Sequence, residues 1–472
     1  TPIGESGFSP GRVADSTSPN PQQPAGSDPP SAGTQQPPDP GTGPQSAPHT
    51  QEPSGPNAAE PSTPSPAAPN AAEPSTPSPG QPSPGQPNIP VPGATPEPIT
   101  PSPRAPSYPR PVAGLGTGSG QNPRAELTGT LGAAGDSDSF ALPLRAGDVL
   151  GVTVRGGARE LQLRDPRGTL VIRSETDRSA SYPKSSPLPG GGAATLDHVA
   201  ALTGTHVLTV TGGVGQYTAS VLVFHASDAP QKFFLDFRGA AVDTGEFGIE
   251  LAGGGQPRRL SGLAHFLPAW GLTSGDEPAV AERISRTFTA ALLSTGARVQ
   301  VGDSNSAPDA FGQPDVSRIV IGGTSEEAGI NTIGISDSVD PGNFDRAETA
   351  LVLLDALSAP APRVSSINHY LGPASNRVEF VGSVIGNIAA HEAGHLLGSW
   401  HTDPDDGMHN VMDSGDLAGA YGFGPDGIGG TADDTQPHYG PDTFAPDEGY
   451  QGTEDTLART AIGLGALGPP RF

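Results

Sequence analysis

Period-two alternation governs the chain from about residue 122 to 227. Short runs such as DSFALPL, GDVLGVTV, ELQLRDPRG, TLVIR, HVLTVTG and YTASVLV alternate apolar with polar positions, and Gly, Asp and Pro turns separate them. Runs of this length and spacing predict half-buried strands, and together a small antiparallel β-sandwich over 121–228. From 229 to 472 the pattern is mixed. The strand FFLDF (233–237) precedes a helix expected near 281–294, where Ile284, Phe288, Ala291 and Leu292 share one face. The strands SRIVIGG (317–323) and TALVLLDAL (349–357) come next. A helix follows over 381–397, its apolar positions being Val384, Ile385, Ile388, Ala389 and Leu396. A last helix is expected near 453–464, with Gly452 or Thr453 at its start and Glu454 and Asp455 in its first turn, where the helix dipole favours negative charge. Strands alternating with helices imply a mixed α/β sheet backed by helices.

No such pattern exists before about 112. That stretch is Pro, Ser, Gly, Ala, Gln and Thr, holds 33 of the 56 prolines, and repeats PNAAEPSTPSP at 56–66 and 69–79. It cannot bury enough apolar surface to offset its ordering entropy, so residues 1–120 are expected to form a disordered, partly polyproline spacer. The chain is therefore read as multidomain: spacer, sandwich and α/β region.

Composition narrows the function. The absence of cysteine excludes disulfides and thiolate metal sites. A net charge of −25 argues against nucleic acid and anionic membrane surfaces as partners. No apolar run approaches the length of a membrane span, and the chain opens at Thr1, so a secreted protein whose signal peptide has been removed is expected. A monomer is expected. Between His401 and Ala458 the chain carries 13 Asp and Glu and no Lys or Arg, in Gly-rich segments such as DPDDG (403–407) and GPDGIGGTADD (424–434). Bound calcium and a solvated acidic surface are equally good readings of it. Asp136 and Asp138 fit turn chemistry better than a calcium site.

The chemistry concentrates in HEAGHLLGSWH, residues 391–401. His391 and His395 stand one helical turn apart, so both imidazoles leave the same face and can share an ion. Gly398 supplies a cheap left-handed residue to end the helix, and the chain can then return His401 to the same point. Three neutral nitrogen donors leave one position open on a tetrahedral zinc, which distinguishes catalytic from structural sites. Glu392 beside the first ligand is placed to act as general base on a zinc-activated water. Among the other histidines, His265, His369 and His409 are read as structural.

The string matches HExxHxxGxxH at every fixed position and so resembles the metzincin zinc metallopeptidases. The resemblance implies a turn with Met beneath the metal, matched by Met412 in HNVMDSG, eleven residues after His401. It departs from some branches in having Ser414 where they carry Tyr. Segments of the sandwich region, GDSDSF (135–140), AGDVLGVTV (146–154), LRDPRGTLV (163–171) and GQYTASVLV (215–223), resemble the bacterial pre-peptidase C-terminal domain, which usually follows a catalytic domain but here precedes one. The implied function is secreted zinc-dependent hydrolysis of protein or peptide, with substrate extended along an edge strand such as TIGIS (332–336). The alternative is an extracellular adhesin with a structural or vestigial zinc site, against which the intact Glu392 counts.

Overall fold

The computed structural model describes residues 108–247, 257–415 and 417–465. The expected disordered spacer lies outside the described residues up to 107. From 108 onward the body is rich in β-sheet, with few helices among the described residues.

Nine strands form the first half: β1 Arg110–Pro111, β2 Arg124–Leu131, β3 Asp138–Leu144, β4 Asp148–Gly156, β5 Glu160–Arg164, β6 Leu170–Ser174, β7 Ala194–Val199, β8 Gly204–Thr211 and β9 Gly215–His225. One antiparallel sheet has the order β2-β9-β4-β7; the other begins β1-β3-β8-β5-β6, with β1 parallel to β3 and the rest antiparallel. Inward residues of both sheets, including Leu142, Leu161, Leu163, Leu208, Val152, Leu196 and Val221, make one core, as alternation dictates. Residues 110–120 take part, since β1 pairs with β3 and Leu115 is buried in that core. Strand β4 is apolar on both faces. Val149 on its outer face meets Leu188, Val199, Leu222 and, from the far end of the chain, Ile462.

The second half builds a mixed sheet. The further strands are β10 Lys232–Asp236, the ribbon β11 Ala241–Val242 with β12 Arg258–Arg259, β13 Gln300–Asp303, β14 Val316–Ile321, β15 Gly334–Ser336 and β16 Thr349–Val352. The sheet order is β13-β10-β14-β16-β15, parallel except for β15, which runs antiparallel at one edge. Helices α1 Glu277–Leu293 and α3 Arg377–Leu396 cover one face, and a smaller cluster that includes Ala328 of the short α2 (Ser325–Ala328) covers the other. Ile319 and Ile321 point into the first layer and Val320 into the second, so strands buried on both sides read as continuous apolar runs. Each such fully buried side chain contributes roughly 1.5–3 kcal/mol. Asn376 caps α3 by accepting from the Glu379 N–H.

After α4 Leu417–Tyr421, the chain returns to the sandwich. β17 Pro441–Thr443 and β18 Tyr450–Asp455 extend its larger sheet, β18 pairing antiparallel with β6. The helix expected from 453 therefore starts later, as α5 Thr456–Gly463. Tyr450 to Gly452 are committed to the ladder with β6 and Thr453 to Asp455 to that with β17, and the Asp455 side chain then accepts from the Ala458 N–H and caps the helix there. No helix among the described residues is long and apolar enough to cross a membrane.

Candidate metal centre

Helix α3 carries His391 and His395 one turn apart and ends at Leu396. Gly398 adopts φ +94°, the left-handed conformation that turns the chain. A side chain there would meet solid backbone, since an added Cβ would lie 2.5 Å from the Pro341 Cα. The turn brings His401 round, and one ring nitrogen from each of His391, His395 and His401 falls within 4.8 Å of the others. Among the described residues this is the one group of three or more metal-ligand side chains that comes together. The Nε2 atoms of His395 and His401 are 3.2 Å apart.

Each ring is fixed from behind. Nδ1 of His391 lies 2.8 Å from the Val411 carbonyl oxygen, Nδ1 of His395 lies 2.9 Å from that of Ser399, and Nδ1 of His401 lies 2.5 Å from Oε1 of Glu448. An acceptor at Nδ1 holds the proton there and leaves the Nε2 lone pair free for a metal. Burial, then the nearby His401, pushes His391 down to about 3; burial and the same neighbour hold His395 well below the usual imidazole value. Burial also acts downward on His401, but the bond to Glu448 and its charge outweigh it and leave His401 raised. Two imidazoles are thus neutral, as ligands must be, and the third is turned by a carboxylate.

Glu392 follows His391 and is 5% exposed. Burial raises its carboxyl to about 7, against the opposing pull of the Ser336 hydroxyl and of His401. Ser336 belongs to edge strand β15, and its hydroxyl stands 2.8 Å from Oε2 and 2.9 Å from the backbone oxygen of Glu392. Gly334, two residues earlier, leaves room for the same carboxylate: an added Cβ would lie 2.1 Å from its Oε1.

Met412 is fully buried beneath the helix, and its sulfur fills the space that a side chain on Gly394 would need, 2.2 Å from the Cβ position. The Met412 carbonyl accepts from the Thr402 N–H, and the turn around it is closed by Asn410 and Asp413 through the Asn410 N–H and the Asp413 carboxylate. The residues singled out in the sequence therefore share one locus. His265, His369 and His409 stand outside the group.

Nothing in the sequence pointed to Glu448, and Ser336 stood out only as the last residue of the candidate edge TIGIS (332–336), not as a partner of Glu392. They lie 47 residues after His401 and 56 before Glu392, with no spacing to link them. The acidic segments take up turn hydrogen bonds: Asp403, Asp406 and Asp426 each accept from a backbone N–H two residues on, and Asp434 accepts from Gly430 and Thr431. Asp136 accepts from Gly132 and Ser137, and Asp138 from the Tyr217 hydroxyl.

No protein-family model matches the chain, and no curated protein matches it. Among solved structures, it is similar to two periplasmic inhibitors of g-type lysozyme. That of Aeromonas hydrophila is 15% identical, with a TM-score of 0.17 over 24% of this chain and 95% of that one. That of Salmonella Typhimurium is 14% identical, with a TM-score of 0.18 over 25% and 100%. An acetyl xylan esterase from Butyrivibrio proteoclasticus is 10% identical, with a TM-score of 0.13 over 55% and 84%. Likenesses of this size carry no argument about the fold or the activity of this chain.

Proposed function

We propose that the protein is a secreted zinc-dependent endopeptidase of the metzincin type. The observation that carries the reading is the convergence of three imidazoles whose Nδ1 atoms are each tied to an acceptor, beside a buried carboxyl raised to about 7. Zinc fits this donor set, because two of the rings are held neutral by burial and all three turn Nδ1 to an acceptor, which makes Nε2 the ligand atom. When bound by His391, His395 and His401, zinc supplies a Lewis acid for the scissile carbonyl and an acidified water.

The remaining chemistry belongs to this chain's own groups. Glu392 accepts the proton of the attacking water at its carboxylate and returns it to the departing amine, a task suited to a group titrating near neutral pH. Ser336 steers that carboxylate by donating its hydroxyl proton. Met412 provides an apolar floor. Peptide substrate pairs with the free edge of β15, the outermost strand of the sheet, whose inner residues already touch Glu392. Main-chain pairing of this kind discriminates little among side chains, so a broad range of extended peptides is cleaved.

Digestion of a casein-type substrate with and without a chelator tests the reading. Cleavage that stops on chelation and returns with zinc is the expected result. A zinc-loaded protein that cleaves nothing would shift the reading to a binding module.

A further inference from the structure

We infer that the sandwich completes the metal centre, with Asp197 and Arg178 as positioning residues for the third ligand, His401. The inference rests on the reading of His391, His395 and His401 as metal ligands, and it concerns how Asp197 and Arg178 of the sandwich, far upstream of them in the sequence, hold the last of these in place.

Two arms reach His401 from the sandwich. The first passes through its preceding residue. Trp400 is 2% exposed and belongs to the sandwich core, edge-on to Tyr182 and Tyr450 with ring centroids 6.5 and 5.2 Å away. Its indole N–H donates to the Asp197 carboxylate of β7, with oxygens at 3.1 and 3.3 Å. Asp197 is fully buried, also accepts from the Tyr182 hydroxyl at 3.0 Å, and is ion-paired with Arg459 of α5. Arg459 in turn donates to the carbonyl of Gly398, the turn residue, at 3.0 Å and pairs with Glu454 at 2.9 Å. Glu454 closes the loop by accepting from the Trp400 backbone N–H at 3.0 Å. The Trp400 indole, the Trp400 backbone N–H and the Gly398 carbonyl thus all end on the buried chain of Asp197, Arg459 and Glu454 that starts from the sandwich.

The second arm passes through Glu448. Arg178, in the sandwich segment between β6 and β7, donates from Nε to the Glu448 carbonyl at 2.6 Å and from Nη2 to the Asp447 carbonyl. Its Nη2 also faces the Glu448 carboxylate at 3.9 Å. Glu448 is then set to hold Nδ1 of His401. A displacement of either arm moves the imidazole that the other fixes.

Arg173 of β6 provides a comparison within the same sheet: it reaches Gln451 of β18 at 3.2 Å and pairs with Glu160 and Glu175, but none of these side chains bonds His391, His395 or His401.

The test measures zinc affinity by chelator competition, and the visible spectrum of the cobalt(II)-substituted full chain, in Arg178→Ala, Asp197→Asn and Arg173→Ala. Loss of an outer partner of a metal ligand typically costs 10-fold to 100-fold in affinity. Arg178→Ala and Asp197→Asn are expected to lose that much and to alter the cobalt spectrum, while Arg173→Ala keeps both at wild-type values even where its melting temperature falls. Should Asp197→Asn fail to fold, Arg178→Ala against Arg173→Ala decides the matter. Wild-type affinity and spectrum in the Arg178 variant, or an equal loss in the Arg173 variant, overturns the inference. A wild type that binds neither zinc nor cobalt instead overturns the underlying reading of the three histidines.

Discussion

Gly398 is the residue on which the geometry of the site turns. Its φ of +94° costs an L side chain roughly 1–2 kcal/mol, and the added Cβ would press on Pro341 and on the Asp340 carbonyl oxygen at 2.8 Å. Neither neighbour is a flexible side chain. Gly398→Ala is therefore expected to weaken zinc binding by about 10-fold, the size that this strain implies if it falls on the turn that delivers His401. Chelator competition measures it, and wild-type affinity would mean that the turn can relax without displacing the ligand. This residue was legible in the sequence because helix periodicity and a left-handed stop are local properties, and HEAGHLLGSWH contains all of them within eleven positions. Glu448 was not legible, because what makes it important is a hydrogen bond across 47 residues and two β-strand ends.

Among the elements, edge strand β15 does two tasks that its sequence, GIS, hardly announces. Ser336 bonds Glu392, and Gly334 gives its carboxylate space. Gly334→Ala would displace the carboxylate by about 1 Å, and misplacement of that size at a reacting group costs on the order of 100-fold in rate. The variant should retain zinc while kcat falls; unchanged kcat would detach Glu392 from the chemistry assigned to it. The sequence patterns for β3, β4, β5, β6, β8, β9, β10 and β14 matched the observed strands because alternation or a continuous apolar run marks them. They failed at β18. Its residues Thr453 to Asp455 look like an acidic first turn, yet the preceding Tyr450 and Gly452 pair with β6, and that long-range ladder overrides the local helix signal.

On the scale of the whole molecule, a buried group of carboxyls bears on stability. Asp337, Asp340 and Glu348 lie on the segment joining β15 to β16, and each keeps one oxygen without a hydrogen-bond partner. Burial raises Asp337 to about 7; burial, then neighbouring carboxylates, raises Glu348 well above its ordinary value, and burial raises Asp340. A carboxyl whose folded pKa is raised holds its proton better in the fold than in the unfolded chain. Its contribution is complete below the unfolded value, near 4, and is lost as pH rises through the folded value. The wild type should therefore lose melting temperature between pH 5 and pH 8 relative to Glu348→Gln, which has no proton to lose at that position. Parallel melting curves for the two would show that Glu348 is ionised throughout. The sandwich and the mixed sheet are joined through this same region of the chain, since the Val339 N–H donates to the Ser181 carbonyl and the Asp340 N–H to that of His395.

In the proposed function, Glu392 acts as general base at a zinc centre held by His391, His395 and His401. Glu392→Gln keeps the shape of the side chain and leaves the ligands untouched, but it cannot take a proton at neutral pH. Zinc content by mass spectrometry and the rate of peptide cleavage are to be measured on one sample. Full zinc with a rate reduced roughly 100-fold to 10,000-fold is the predicted result. Full zinc with full activity would contradict it.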